Sequence, residues 1–190
     1  MAFLTTPSLG PVRRTAAVVA VCLGLLVDVR AQPERTGEYR LKAAILYNLT
    51  KFVDWPSGAF SGPDAPLTLC VLGDDPFGAI LDDALRGRSV AGRPLVAKRV
   101  VSALSGCHLL FVSDSEHKRI GIITDQLRDA SVLTVSEDDT FTKQGGMISL
   151  ATEGELVRFS INGAATERAH LKVSARLMSM AARRPGGGAP

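Results

Sequence analysis

Short apolar runs, each closed by a turn and followed by a stripe of helical period, dominate the middle of the chain. The clearest is Leu67–Leu72, Leu-Thr-Leu-Cys-Val-Leu, which suits a strand buried on both faces of a parallel sheet. Gly73 frees the backbone to turn, and Asp75-Pro76 reads as an N-cap followed by proline at the first helical position. Phe77, Ile80, Leu81, Ala84 and Leu85 then fall on one helical face. Strand, turn and helix make the first half of a βαβ unit.

The rest of the chain repeats this alternation. Before the run, the spacing predicts a helix from Glu38 to Val53 with Leu41, Ala44, Ile45, Asn48, Leu49 and Phe52 on its buried face. Leu46, Tyr47 and Val53 widen its apolar surface, and Asp54-Trp55-Pro56 ends it. A Gly/Pro/Ser loop covers Ser57 to Pro66. Further strands are expected at Leu95–Val100, His108–Val112 and Ser131–Val135. Between the last two, Ser113 and Glu116 have the form of a capping box opening a helix with Ile120, Ile123 and Leu127 inward. Phe141 tucks inward from a polar loop. Gly146–Leu150 and Glu155–Ile161 read as a hairpin, and a last helix runs from Leu171 to about Ala182. This pattern predicts an α/β fold, a three-layer Rossmann-like sandwich whose mostly parallel sheet has about six strands. Counting Leu67–Leu72 as the first, the expected order is 2-1-3-4, with the antiparallel hairpin at the far edge.

The N-terminus changes the picture of where the protein works. Arg13 and Arg14 precede an uncharged run from Thr15 to Val27, the length of a signal-peptide core and short of the about 20 residues needed to span a bilayer. Cleavage after Ala31 is expected, leaving one domain over residues 32–183 and a disordered tail over 184–190. Lipidation at Cys22 and an uncleaved anchor are the alternatives. Three cations and one anion leave with the leader, so the net charge of +3 becomes +1. Arg86, Arg88, Arg93, Lys98 and Arg99 form only a loose basic cluster, read as a solvated surface, and no nucleic-acid partner is expected. Cys70 and Cys107 are the two cysteines of the mature chain. In an oxidising compartment they read as a disulfide, against two buried free thiols as the other reading.

Catalytic patterns are missing from the sequence. Gly73-Asp74-Asp75-Pro76-Phe77-Gly78 carries acidic residues where a phosphate would sit, and no nucleophile elbow occurs. His108, His117 and His170 show no ligand spacing. His108 is expected to be a satisfied core residue, and Asp74 and Asp75 read as helix caps rather than as a catalytic carboxylate pair. No enzyme, metal or cofactor is expected.

Six stretches in order resemble the YfiR family: Tyr39–Pro56 (YRLKAAILYNLTKFVDWP), Leu69–Gly78 (LCVLGDDPFG), Cys107–Glu116 (CHLLFVSDSE), Val132–Phe141 (VLTVSEDDTF), Gly145–Leu150 (GGMISL) and Val157–Asn162 (VRFSIN). The resemblance covers almost all of the mature chain. It implies a periplasmic, non-enzymatic repressor that binds the periplasmic region of a membrane-bound diguanylate cyclase, lowering cyclic di-GMP and biofilm formation. A three-part system of this kind includes an outer-membrane lipoprotein. Cys70 and Cys107 match cysteines of the family pattern. A second pair known in some members is absent: Gly145, Gly146, Thr152 and Glu153 carry no thiol.

Two other functions stand beside repression. A small-ligand sensor would use the crevice at the carboxyl ends of the strands, at Gly73, Asp74, Ser113 and Ser136. A hydrolase without a known motif is the third. For a protein-binding role, the first helix and its end are expected to contribute to a homodimer or partner interface. Tyr47 and Lys51, with Trp55 and Pro56 a turn further on, lie at its centre. The competing reading packs Trp55 in the core under the following loop.

Overall fold

The computed structural model describes residues 32–102, 105–153 and 156–182. The expected leader cleavage site and the tail over 184–190 lie outside the described residues. Contacts divide the chain into two units, Met1–Thr36 and Gly37–Pro190. Of the first, only the opening of helix α1 (Gln32–Leu49) is described. Everything below concerns the second.

A seven-stranded, mostly parallel sheet organises this unit. In chain order its strands are β2 (Leu67–Leu72), β3 (Ser89–Val90), β4 (Arg93–Val100), β5 (Leu109–Val112), β6 (Leu133–Ser136), β7 (Ile148–Glu153) and β8 (Leu156–Ile161). They lie side by side as β3-β4-β2-β5-β6-β7-β8. β2 pairs in parallel with β4 and β5, β5 with β6, and β6 with β7, while β3–β4 and β7–β8 are antiparallel. The count of about six omits β3, two residues that fold back on the start of β4. A separate ribbon pairs β1 (Val53–Asp54) with β9 (Lys172–Val173).

Alternating side chains of the central strands feed two cores, as a sheet covered on both faces requires. Leu69, Val71, Leu109, Phe111, Leu133 and Val135 belong to the larger, together with Leu46 and Leu49 of α1, Leu81 and Leu85 of α2 (Ala79–Leu85), Ala165 of α4 (Gly163–Arg168) and Leu177 of α5 (Ala175–Ala182). Cys70, Leu72, Leu110 and Val112 point into the smaller, against Ile120 and Ile123 of α3 (Ile120–Gln126), Leu127 and Phe141. Phe141 is fully buried, as its inward placement in a polar loop predicts.

Several local expectations give way to side-chain chemistry. The helix after β2 starts at Ala79 rather than near Pro76, because Asp75 Oδ1 accepts the Phe77 N–H in a turn of its own. Gly78, at φ +51°, then admits the chain to α2. Ser113 caps a 3₁₀ turn over Asp114–Arg119 without using its hydroxyl, and Glu116 pairs with Arg119 at 2.8 Å, so the side-chain capping box does not form. The last helix begins only at Ala175, since Lys172 and Val173 are taken by the ribbon.

Helix α1 ends at Leu49, and its buried face is turned one position from the expected stripe. Lys42, Ala43, Leu46, Leu49 and Thr50 are buried, whereas Leu41 is 42% exposed and Ala44 and Asn48 face solvent. The cause is polar. Lys42, its side chain only 3% exposed, is gripped by Glu38 and by Glu137 Oε1 at 3.1 Å, at the carboxyl end of β6. Tyr39 packs edge-on against Phe77, whose ring meets Phe111 in the same way. These contacts turn the Leu41–Ala44 side of the helix outward.

Candidate partner-binding surface

The open side of α1 and the segment after it carry the residues expected at an interface. Tyr47 is half-buried near the end of the helix. Lys51 Nζ lies 4.1 Å from its ring centroid, and Arg88 Cζ, from the turn after α2, lies 4.4 Å from the same centroid. The nearby Lys51 ammonium first, then the Arg88 guanidinium, hold the phenol below its ordinary pKa. The sequence pairs Tyr47 with Lys51 by helical spacing but gives no hint of Arg88, which arrives through the α2–β3 turn.

Trp55 does not continue that face along a helix, because α1 stops at Leu49 and Val53–Asp54 is a strand. The indole is half-buried against the larger core and donates from Nε1 to the His108 carbonyl at 3.1 Å. Pro56 starts a 3₁₀ turn over Ser57–Ala59. Trp55 and Lys51 still border one open cleft of about 580 Å³, with Phe60, Val90 and Arg93 among its walls.

His108 holds this corner together as a satisfied core residue. Its Nδ1 accepts the Thr68 N–H at 3.1 Å, which leaves the proton on Nε2, 3.2 Å from the Ala59 carbonyl. Burial pushes its pKa below the ordinary value, Arg93 adds to this, and the Ala59 carbonyl opposes it. Phe60 stacks on the imidazole at 4.4 Å, and the Arg93 guanidinium lies 3.7 Å from the Phe60 centroid while bonding the Gly62 and Ala65 carbonyls.

At the carboxyl ends of the strands, residues of the expected ligand crevice meet neighbours of their own chain. Gly73 sits at φ +88°, and the space a Cβ would fill is taken by Ser115 Oγ at 2.4 Å and Glu116 Cγ at 2.9 Å. Ser115 Oγ accepts the Asp74 N–H at 2.9 Å. Ser113 is buried, and the Ser136 hydroxyl donates to the Val112 carbonyl at 2.8 Å. Asp75 and Asp82 share Arg99 at 2.8 and 2.7 Å, so the Asp75 carboxylate of the acidic turn is paired within the chain. Nearby, His117 joins Asp138. Asp138 stays below the usual carboxylate range although burial opposes this, because Thr140 and His117 hydrogen-bond to it.

Cys70 and Cys107 form a disulfide across a Cα–Cα distance of 5.7 Å. It ties β2 to the residue two before β5, inside the smaller core. Among the described residues, no group of His, Cys, Asp or Glu is arranged to hold a metal ion.

The YfiR/HmsC-like family pattern matches residues 39–182, from Tyr39 on α1 to the end of α5. The chain belongs to that family. A search of curated proteins finds no match to it. In this YfiR/HmsC-like protein the six recognised stretches form much of α1 with β1, most of β2 with its turn, β5 with the start of its 3₁₀ turn, β6, part of β7 and most of β8. Membership points to regulation in diguanylate cyclase signalling, and no described helix is long and apolar enough to cross a membrane.

Proposed function

We propose that this YfiR/HmsC-like chain is a periplasmic repressor that binds the periplasmic part of a membrane-bound diguanylate cyclase and so lowers cyclic di-GMP and biofilm formation. The family match over residues 39–182 carries the reading. A protein-binding role is supported by the open side of α1, where Leu41 is 42% exposed beside exposed Ala44. Small-ligand sensing has less support, since Ser115 and Glu116 fill the space beside Gly73 and the Ser136 hydroxyl is bonded to the Val112 carbonyl. The disulfide is in keeping with work outside the cytoplasm. Homodimerisation and contact with an outer-membrane lipoprotein belong to the same proposal.

Affinity capture from detergent-solubilised membranes tests it. The tagged mature chain should retain a membrane protein with a cyclase domain, and a Leu41→Asp variant should retain less of it. Retention of no cyclase by the wild-type chain would contradict the reading.

A further inference from the structure

Tyr47, Lys51 and Arg88 make a cationic point on the open side of the molecule. Both cations are exposed, and among the described residues neither makes an ion pair with a carboxylate. Arg86, only two residues before Arg88, pairs with Asp83 at 2.7 Å, so Arg88 is set apart from its neighbour. We infer that Lys51 and Arg88, gathered around Tyr47, form a docking site for a carboxylate-bearing segment of a partner protein; this rests on the regulatory reading above.

The geometry suits that occupant. A planar guanidinium offers paired N–H donors that match the two oxygens of a carboxylate, and an ammonium and a phenol beside it add further donors. The aromatic ring orders both cationic side chains before a partner arrives, which reduces the entropy lost on binding. Arg88 is fixed from behind as well. Its N–H donates to the Leu85 carbonyl and its carbonyl accepts from Leu95, each at 3.0 Å, after Gly87 has turned the chain at φ +69°.

The test compares the mature chain with a Lys51→Gln, Arg88→Gln double variant, using fluorescent octaglutamate as probe and octalysine as control in anisotropy titrations. The two side chains are exposed, so the variant should melt with the wild type. Wild type should bind octaglutamate in preference to octalysine, with the double variant weaker by about fivefold, the scale of two exposed ion pairs. Equal binding by the two proteins, or no binding by wild type, overturns the inference. In cells the double variant should lose part of the wild-type lowering of cyclic di-GMP, and full lowering by it also overturns the inference. Failure of the regulatory reading shows separately: deleting the whole gene then leaves cyclic di-GMP unchanged, whatever the peptide titration gives.

Discussion

Reducing the Cys70–Cys107 bridge should cost more stability than most single substitutions in the chain. The bridge closes a sequence separation of 37 residues, which corresponds to about 4 kcal/mol of lost unfolded-state entropy in the loop-closure account. It also sits where the sheet is thinly covered. The smaller core has one short helix, α3, and the Phe141 loop over it, so few other contacts hold β2 and β5 at that face. For a domain of about 150 residues, a loss of that size lowers the melting temperature by about 8–15 °C. Reversible reduction is the cleanest perturbation, because it changes no side-chain volume. A serine at position 70 would confuse the result, since Cys70 is fully buried and an unpaired hydroxyl there costs about 1–3 kcal/mol by itself. The assay is thermal unfolding by circular dichroism with and without reductant, with alkylation and intact mass confirming the thiol state. If the fully reduced protein melts within a degree or two of the oxidised one, the bridge does not constrain the unfolded chain as argued.

Three further predictions follow from side-chain positions. Gly73→Ala places a Cβ 2.4 Å from Ser115 Oγ on a backbone at φ +88°, and should cost about 2–4 kcal/mol by urea unfolding, combining left-handed strain with overpacking. His108 is held neutral in the fold with its pKa below the ordinary 6.5, so the unfolded chain takes up the proton more readily. Its contribution to stability is therefore complete above about pH 6.5 and is lost as the pH falls toward the folded-state pKa; His108→Gln should flatten the melting temperature between about pH 5 and 7. Asp138, also shifted down, has its window below about pH 4, outside that range. Lys42→Met should cost about 3 kcal/mol by leaving Glu137 without its buried cation, and adding Glu137→Gln should recover part of this in a double-mutant cycle.

The parallel framework was legible because burial on both faces leaves continuous apolar runs, as in Leu67–Leu72 and Leu109–Val112. What the sequence concealed depended on single polar side chains. Lys42 is outside the expected apolar stripe of α1, yet it is buried with ion pairs to Glu38 and Glu137, and Leu41 is left exposed. Asp75 reads as a helix cap, but its carboxylate serves the Phe77 N–H and Arg99 instead. The two-residue strands β1, β3 and β9 are too short to show a period at all. At the candidate surface, helical spacing made Tyr47 and Lys51 visible as neighbours, although α1 stops at Leu49 and Lys51 stands in the turn after it. Arg88 was not visible, because only the folded α2–β3 turn brings it to the tyrosine ring. His108 was recognisable as a core histidine, while its bond with Trp55 joins segments 53 residues apart, beyond the reach of any local pattern.

The most direct test of the regulatory account is intracellular cyclic di-GMP, measured by mass spectrometry in the native host with the gene present, deleted and restored. The account predicts a rise on deletion and a return to the starting level when the chain is restored with its leader. It also predicts no return when the chain is restored without residues 1–31, because the proposed function requires export. An unchanged nucleotide level on deletion would contradict the account.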